Sequence, residues 1–312
     1  MTAESIPAEE WSKETHINII KGYRQYLREN PEGMRRFAEM GERLREVDVE
    51  AGRPALSFLV GFPRSGTTMT EQIFDAHGDI FGVEEPNYLH DTKKKWREMV
   101  SQSDDVKAFF DELSEERIIE LRRYFWSRVD DDLGENALES SKVLFYKHPL
   151  LISELPFINA IFPDSKVIVA LRDPRDCCLS CFMQDFSVNA GMIHFLNLED
   201  TCHFYDAVFG LYLAARERLT FDRVEIRYED TVRDLEAQAR RLIEFLDLEW
   251  DSAVLRFHER ARKKFIPTPS FAAVNEPVNT KAIARWKRYE KYFEPYVGLL
   301  EPYVREFGYE GE

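Results

Sequence analysis

Basic charge is scarce in this chain: 42 lysines and arginines face 57 acidic residues among 312, a formal charge of −15. That balance disfavours nonspecific binding to nucleic acid or anionic lipid, so an anionic ligand has to be held by a local basic pocket. Long apolar runs are missing as well. Those around Leu56 and Val167 are far too short to span a bilayer, and residues 1–11 are polar and acidic, without a basic-then-apolar leader. A soluble, cytoplasmic protein with neither nucleic-acid nor membrane partners is expected. Cysteine is rare, and three of the four are packed at Cys177, Cys178 and Cys181. This is a poor framework for disulfides and is compatible with a reducing compartment. Cys177 and Cys181 lie one helical turn apart, but only the weak Cys202-His203 follows, so they read as small buried helix residues and no metal is expected. Internal repeats, low-complexity tracts and a linker between two large domains are all lacking.

What is present is enough apolar material, 44% of residues, to bury a substantial core. Residues 14–46 place apolar side chains at helical intervals (Ile17, Ile20, Tyr23, Leu27, then Met34, Phe37, Met40, Leu44), broken at Asn30-Pro31. The pattern predicts two short helices within an N-terminal helical prefix, residues 1–52. Strand-like runs follow at 56–61, 143–146, 166–171 and 224–228, with helical patterns over 105–128 and 232–246. Strands alternating with helices predict one α/β domain over residues 53–312, a parallel sheet flanked by helices. Ligands of such sheets bind beyond the carboxyl ends of the strands. The residues closing each run are therefore the candidates: Arg64, then Lys147-His148, then Arg172-Asp173-Pro174-Arg175-Asp176, then Tyr228-Glu229-Asp230.

The first of these belongs to Gly61-Phe62-Pro63-Arg64-Ser65-Gly66-Thr67-Thr68, a glycine loop with the spacing of a phosphate-binding turn between strand and helix. The opening amides of the helix lack intrahelical partners and the helix dipole adds partial positive charge, so the turn welcomes an anion. Thr67 stands where a phosphate-loop kinase or hydrolase carries its lysine, and Arg64 supplies positive charge earlier in the loop. A nucleoside triphosphate therefore fits poorly. A second anion site is read at Arg172, whose planar fork, with the Ser180 hydroxyl two turns along the next helix, suits a monoester phosphate. The alternative at Arg172-Asp173 is an ion pair that caps a helix.

Taken together, the loop at residues 62–68 resembles the 5′-phosphosulfate loop of sulfotransferases, and residues 172–176 with Ser180 resemble their 3′-phosphate motif. The likeness covers most of residues 56–305 and is greatest to the tyrosylprotein sulfotransferase-like branch and its bacterial relatives. Further landmarks are Asp75-Ala76-His77, Gly82-Val83-Glu84-Glu85, Lys147-His148-Pro149, Phe162-Pro163-Asp164, Arg227-Tyr228-Glu229-Asp230, Thr268-Pro269-Ser270, Pro277-Val278-Asn279 and Arg285-Trp286. The resemblance implies a P-loop-like fold and a sulfuryl donor, 3′-phosphoadenosine 5′-phosphosulfate (PAPS), leaving as the bisphosphate PAP without a metal. It also implies a small-molecule or peptide acceptor. Residue by residue, it makes Glu85 the base, sets Lys147 on the bridging oxygen of the leaving group, and puts Arg64 and Ser270 near the transferring group. Arg64, Ser65, Gly66, Thr67 and Thr68 would cradle the 5′ end, Arg172, Ser180 and Tyr228 would contact the nucleotide, and Arg285 would replace a lysine near the 5′ end.

His148 is the rival base, although Lys147-His148-Pro149 departs from the Lys-x-His setting of some cytosolic sulfotransferases. Partial desolvation is expected at Glu85, to raise its pKa toward the working pH. The rival classes are a phosphate-loop nucleotide kinase or hydrolase and a catalytically inactive interaction protein on the same fold. Aromatic residues between Pro86 and Asn136 are expected to help shape the acceptor pocket. The prefix is read as a homodimer contact, a lid, or packing against the sheet.

Overall fold

The computed structural model describes residues 13–100, 106–186, 189, 191–258 and 278–311. Its sheet has five strands, all parallel, in the order β2-β3-β1-β4-β5: β1 Ala55–Gly61, β2 Ile80–Glu84, β3 Val143–Lys147, β4 Lys166–Leu171 and β5 Asp222–Arg227. The middle strands are buried on both faces, which is why they read as nearly continuous apolar runs. Their side chains still alternate. Leu56, Phe58, Val60, Leu144, Tyr146, Val167 and Val169 enter one hydrophobic cluster, while Leu59, Val143, Phe145, Ile168, Ala170 and Ile226 enter a second on the opposite face.

Helices cover both faces, as crossover connections between parallel strands require. In chain order they are α1 Lys13–Glu29, α2 Arg35–Ala38, α3 Gly41–Glu50, α4 Thr67–Asp75, α5 Tyr88–Met99, α6 Val106–Asp111, α7 Glu115–Leu133, α8 Leu155–Ile161, α9 Pro174–Phe182, α10 Leu198–Ala215, α11 Tyr228–Arg233 and α12 Leu235–Phe245, with later helices at Glu290–Phe293 and Val297–Glu306. The smaller cluster is closed by α4 and α12, through Met69, Ile73, Ala239, Leu242 and Ile243. The larger takes in α1, α5, α7, α8, α9, α10 and the helix at Val297–Glu306. None of the described helices is long and apolar enough to cross a membrane.

The anticipated parallel α/β sheet is present, with differences in detail. A fifth strand, β2, occupies the edge beside β3. The prefix forms three helical segments, and its Ile20, Tyr23, Leu27, Met34, Phe37 and Leu44 lie in the same buried cluster as the sheet. Tyr23 of α1 donates to Glu154 at 2.8 Å, and Lys93 of α5 donates to the same carboxylate at 2.7 Å. The long helix expected over 105–128 is interrupted before Ser114, whose hydroxyl caps α7 by accepting from the Arg117 amide. Tyr228 starts α11 rather than ending β5. Among the aromatics expected at the acceptor pocket, Tyr88, Trp96, Phe109, Phe110, Phe125 and Trp126 are buried in the large cluster, so they belong to the core.

Chain order and strand order together position the site. β3 inserts between β2 and β1, and the chain then passes β1 to add β4 on its other side. The loops following β1, β3 and β4 therefore meet at one edge, the carboxyl ends of three adjacent strands, where this architecture leaves a crevice.

Candidate active site

Between β1 and α4 the backbone turns in conformations that only small side chains tolerate. Gly66 has φ +96°, and a Cβ placed there would stand 2.8 Å from the Tyr228 ring. A Cβ at Gly61 would stand 2.6 Å from the Ala170 carbonyl oxygen. No side chain caps α4, so its first amides face the loop. Arg64 adopts φ +70° despite its side chain. Among the described residues only three other non-glycines have positive φ, and two of them are Glu85 and Ala284, the latter adjacent to Arg285. Such conformations cost of order 1–3 kcal/mol each and persist where surrounding structure enforces them, often at functional sites.

Three arginines meet around this loop. Arg64 Nε donates to Ser180 Oγ of α9 at 3.1 Å, which joins the two anion motifs directly. Arg172, 6% exposed at the end of β4, donates from Nη1 to the Arg64 carbonyl at 2.9 Å and from Nη2 to the Ala282 carbonyl at 2.6 Å. Its guanidinium carbon lies 4.9 Å from the Tyr228 ring centroid, a cation–π contact. Burial pulls the Arg64 pKa below its ordinary value, and the nearby Arg172 and Arg285 push the same way despite opposing Cys177 and Cys181. The segment carrying Arg285 is tied down by Asp176 of α9, which accepts from the Trp286 amide at 2.8 Å. Ser65 Oγ and Arg172 Nε are buried with no hydrogen-bond partner. Concentrated positive charge, an uncapped helix start and orphaned donors are what a bound anion would satisfy.

A second constellation forms where β2 and β3 end. Lys147, 1% exposed, lies 2.9 Å from Glu84, 2.9 Å from Glu85 and 3.6 Å from Glu71, measured from Nζ to the carboxylate oxygens. Strand register places Glu84 opposite Lys147, and the Glu85 amide donates to the Lys147 carbonyl at 2.8 Å. Desolvation works against the charge on Lys147, but Glu71, Glu85 and Glu84 together outweigh it and hold its pKa above the ordinary value. Burial pushes the Glu71 carboxyl up to about 8, with Glu84, Asp75 and Glu85 adding to the rise and Lys147 opposing it. The neighbouring His148 precedes the 3-10 turn Pro149–Glu154, and burial lowers its pKa so that it stays neutral.

Most of the residues singled out in the sequence thus fall into two groups on one edge of the sheet. Arg64, Ser65, Gly66, Arg172, Ser180, Tyr228 and Arg285 share the first. Thr67 and Thr68, both buried, open the helix that extends from it. Glu85 and Lys147 share the second, while Ser270 lies outside the described residues. Sequence reasoning missed Glu71 and the part played by Glu84. Glu84 carried a usable signal, since it ends a short apolar run, whereas Glu71, one turn along the helix from Thr67, reads in the sequence as an ordinary solvated helix residue. The side-chain burial anticipated at Glu85, which is 43% exposed, is found instead at Glu71, 6% exposed.

The chain is 26% identical to an uncharacterized protein of Aquifex aeolicus, over 84% of its own length and 34% of the other. To protein-tyrosine sulfotransferase 1 of Danio rerio it is 28% identical, over 74% of its own length and 65% of the other. To protein-tyrosine sulfotransferase A of Caenorhabditis elegans it is 25% identical, covering 73% and 60%. The chain thus spans less than two thirds of the length of these relatives. Among solved structures its fold is similar to the sulfotransferase domain from the Synechococcus PCC 7002 olefin synthase (TM-score 0.52, 17% identity, covering 75% of this chain and 88% of that one). It is similar to the sulfotransferase domain from the curacin biosynthetic pathway as well (TM-score 0.51, 17% identity, covering 75% and 90%). With the family model matched over residues 57–252, from within β1 to past α12, the chain belongs to the Sulfotransferase family.

Proposed function

We propose that this chain transfers a sulfuryl group from PAPS to a hydroxyl or amine acceptor by in-line displacement, with Glu85 as general base. The observation that carries the reading is the Glu85–Lys147 ion pair at the carboxyl edge of the sheet, one strand from the glycine loop. The residues of that loop fit a nucleotide with phosphate at both ends. Ser65 Oγ and Arg172 Nε are orphaned donors, Gly66 keeps the backbone open where a Cβ would strike Tyr228, and Arg64, Arg172 and Arg285 supply the charge. When bound, the donor supplies an activated sulfuryl group on a phosphate leaving group.

The chain's own groups would then act by position and charge. Lys147 and Arg64 are cations fixed before any charge develops, and preorganised charge of this kind is commonly the largest catalytic contribution. Arg172, stacked on Tyr228, holds a nucleotide phosphate through a charge-assisted fork. Glu85 reaches solvent at the rim of the site and accepts the acceptor's proton. Relatives named protein-tyrosine sulfotransferases make a tyrosine-containing peptide the first acceptor to try, with a small phenol or alcohol as the alternative.

Labelled donor offered with tyrosine peptides, phenols, alcohols, amines and sugars tests the activity, and calorimetry with PAP tests the donor. Glu85→Gln should lower turnover by roughly 100-fold or more, in the range of a lost general base, while PAP binding survives. His148→Ala should be milder. The opposite ranking moves the base to His148, and failure to bind PAP rejects the donor.

A further inference from the structure

The balance of charge around Lys147 is uneven. Among the described residues, three carboxylates, Glu71, Glu84 and Glu85, approach one ammonium group, which leaves two negative charges uncompensated when all three are ionised. That surplus sits beside the place where an anionic donor would present its reacting end. Repulsion of this size in a partly desolvated site opposes binding strongly.

The three carboxyls differ in how easily each gives up its charge. Glu84 and Glu85 are 25% and 43% exposed and both contact Nζ at 2.9 Å, so water and the lysine support their ionised forms. Glu71 is 6% exposed, stands 3.6 Å from Nζ, beyond a good hydrogen bond, and its Oε2 has no hydrogen-bond partner. Among the described residues, the groups facing it are Lys147 of β3, Glu84 and Glu85 at the end of β2, and Asp75 on its own helix. The turn Ser252–Arg256 also packs near α4, but its one cation, Arg256, is exposed, and β1 carries no ionisable side chain.

We propose that Glu71 is a proton-holding positioning residue, and that donor binding is coupled to uptake of one proton from solvent by its carboxyl. The neutral carboxyl removes one of the two surplus charges and leaves Lys147 held by Glu84 and Glu85 alone. The inference rests on the reading of the site as a PAPS site. Its pH range follows from the burial of Glu71: with a pKa raised to about 8, the group is largely protonated at neutral pH and loses its proton above that value. Lys147, whose pKa is raised, stays charged across the same range, and His148 is already neutral.

The test is calorimetry of PAP binding to the full chain between about pH 7 and pH 9, where phosphate monoesters are mostly ionised and, toward pH 9, fully so, in two buffers of different ionisation enthalpy. The wild type should take up a small fraction of a proton near pH 7 and approach one near pH 9. Its affinity should fall by up to about tenfold per pH unit above 8. Glu71→Gln, which mimics the protonated carboxyl, should bind PAP with an affinity nearly flat in pH. Wild-type binding without proton uptake near pH 9 overturns the proposal with no variant needed, and so does a Glu71→Gln protein that keeps the wild-type slope. Failure to bind PAP at any pH instead overturns the donor reading and this inference with it.

Discussion

At Gly66 the backbone leaves no room for even a methyl group: φ is +96° and the space is filled by Tyr228. Gly66→Ala therefore combines backbone strain of about 1–3 kcal/mol with displacement of the ring on which Arg172 stacks. The expected outcome is a lower urea midpoint together with PAP affinity reduced by at least about tenfold, while Gly78→Ala, with nothing within 4 Å of the new Cβ, binds as wild type. The glycine loop, Lys147 and Arg172 were legible in the sequence because each closes a strand-like run, where topology alone sends residues to the crevice, whereas Ser180 and Glu85 were read through the family resemblance, since one lies inside a helix and the other follows a strand that the sequence did not mark. Glu71 was not legible, because inside a helix a lone glutamate reads as solvated. Only packing of α4 on β2 and β3 reveals that this one is enclosed.

Burial on both faces marks some elements in the sequence and not others. The central strands β1, β3 and β4 are apolar on both faces and stand out. β2 does not, since it is five residues long, broken by Gly82, and recognisable through its register with β3. Connections between helices depend on single side chains that no periodicity reveals. Arg122 of α7 is one: it donates to Asp48 of α3 at 2.5 Å, to Asp164 ahead of β4 at 2.6 Å and to the Ile161 carbonyl of α8 at 3.0 Å, all from a buried position. Arg122→Met should destabilise the fold by about 3–5 kcal/mol in urea unfolding, because two carboxylates lose their cation. Adding Asp48→Asn and Asp164→Asn should recover part of that loss. A neutral result for Arg122→Met would mean that the cluster is better solvated than its burial implies.

For the molecule as a whole, the alternation of strands and helices was enough to anticipate the architecture, and of the roles read for the N-terminal helices the structure shows packing into the core. Their apolar positions share a buried cluster with the sheet, and the Glu154 carboxylate holds Tyr23 and Lys93 together across three elements. A chain beginning at residue 53 should expose that surface and show a broadened, lower-temperature unfolding transition by circular dichroism, or fail to remain soluble. The four thiols add something practical. All are buried, three on α9 and one on α10, and the Cys181 thiol donates to the Pro63 carbonyl inside the glycine loop. A thiol-reactive dye can reach them only when the helical layer behind that loop breathes open. The native protein therefore carries its own stopwatch for such openings, readable without an introduced label.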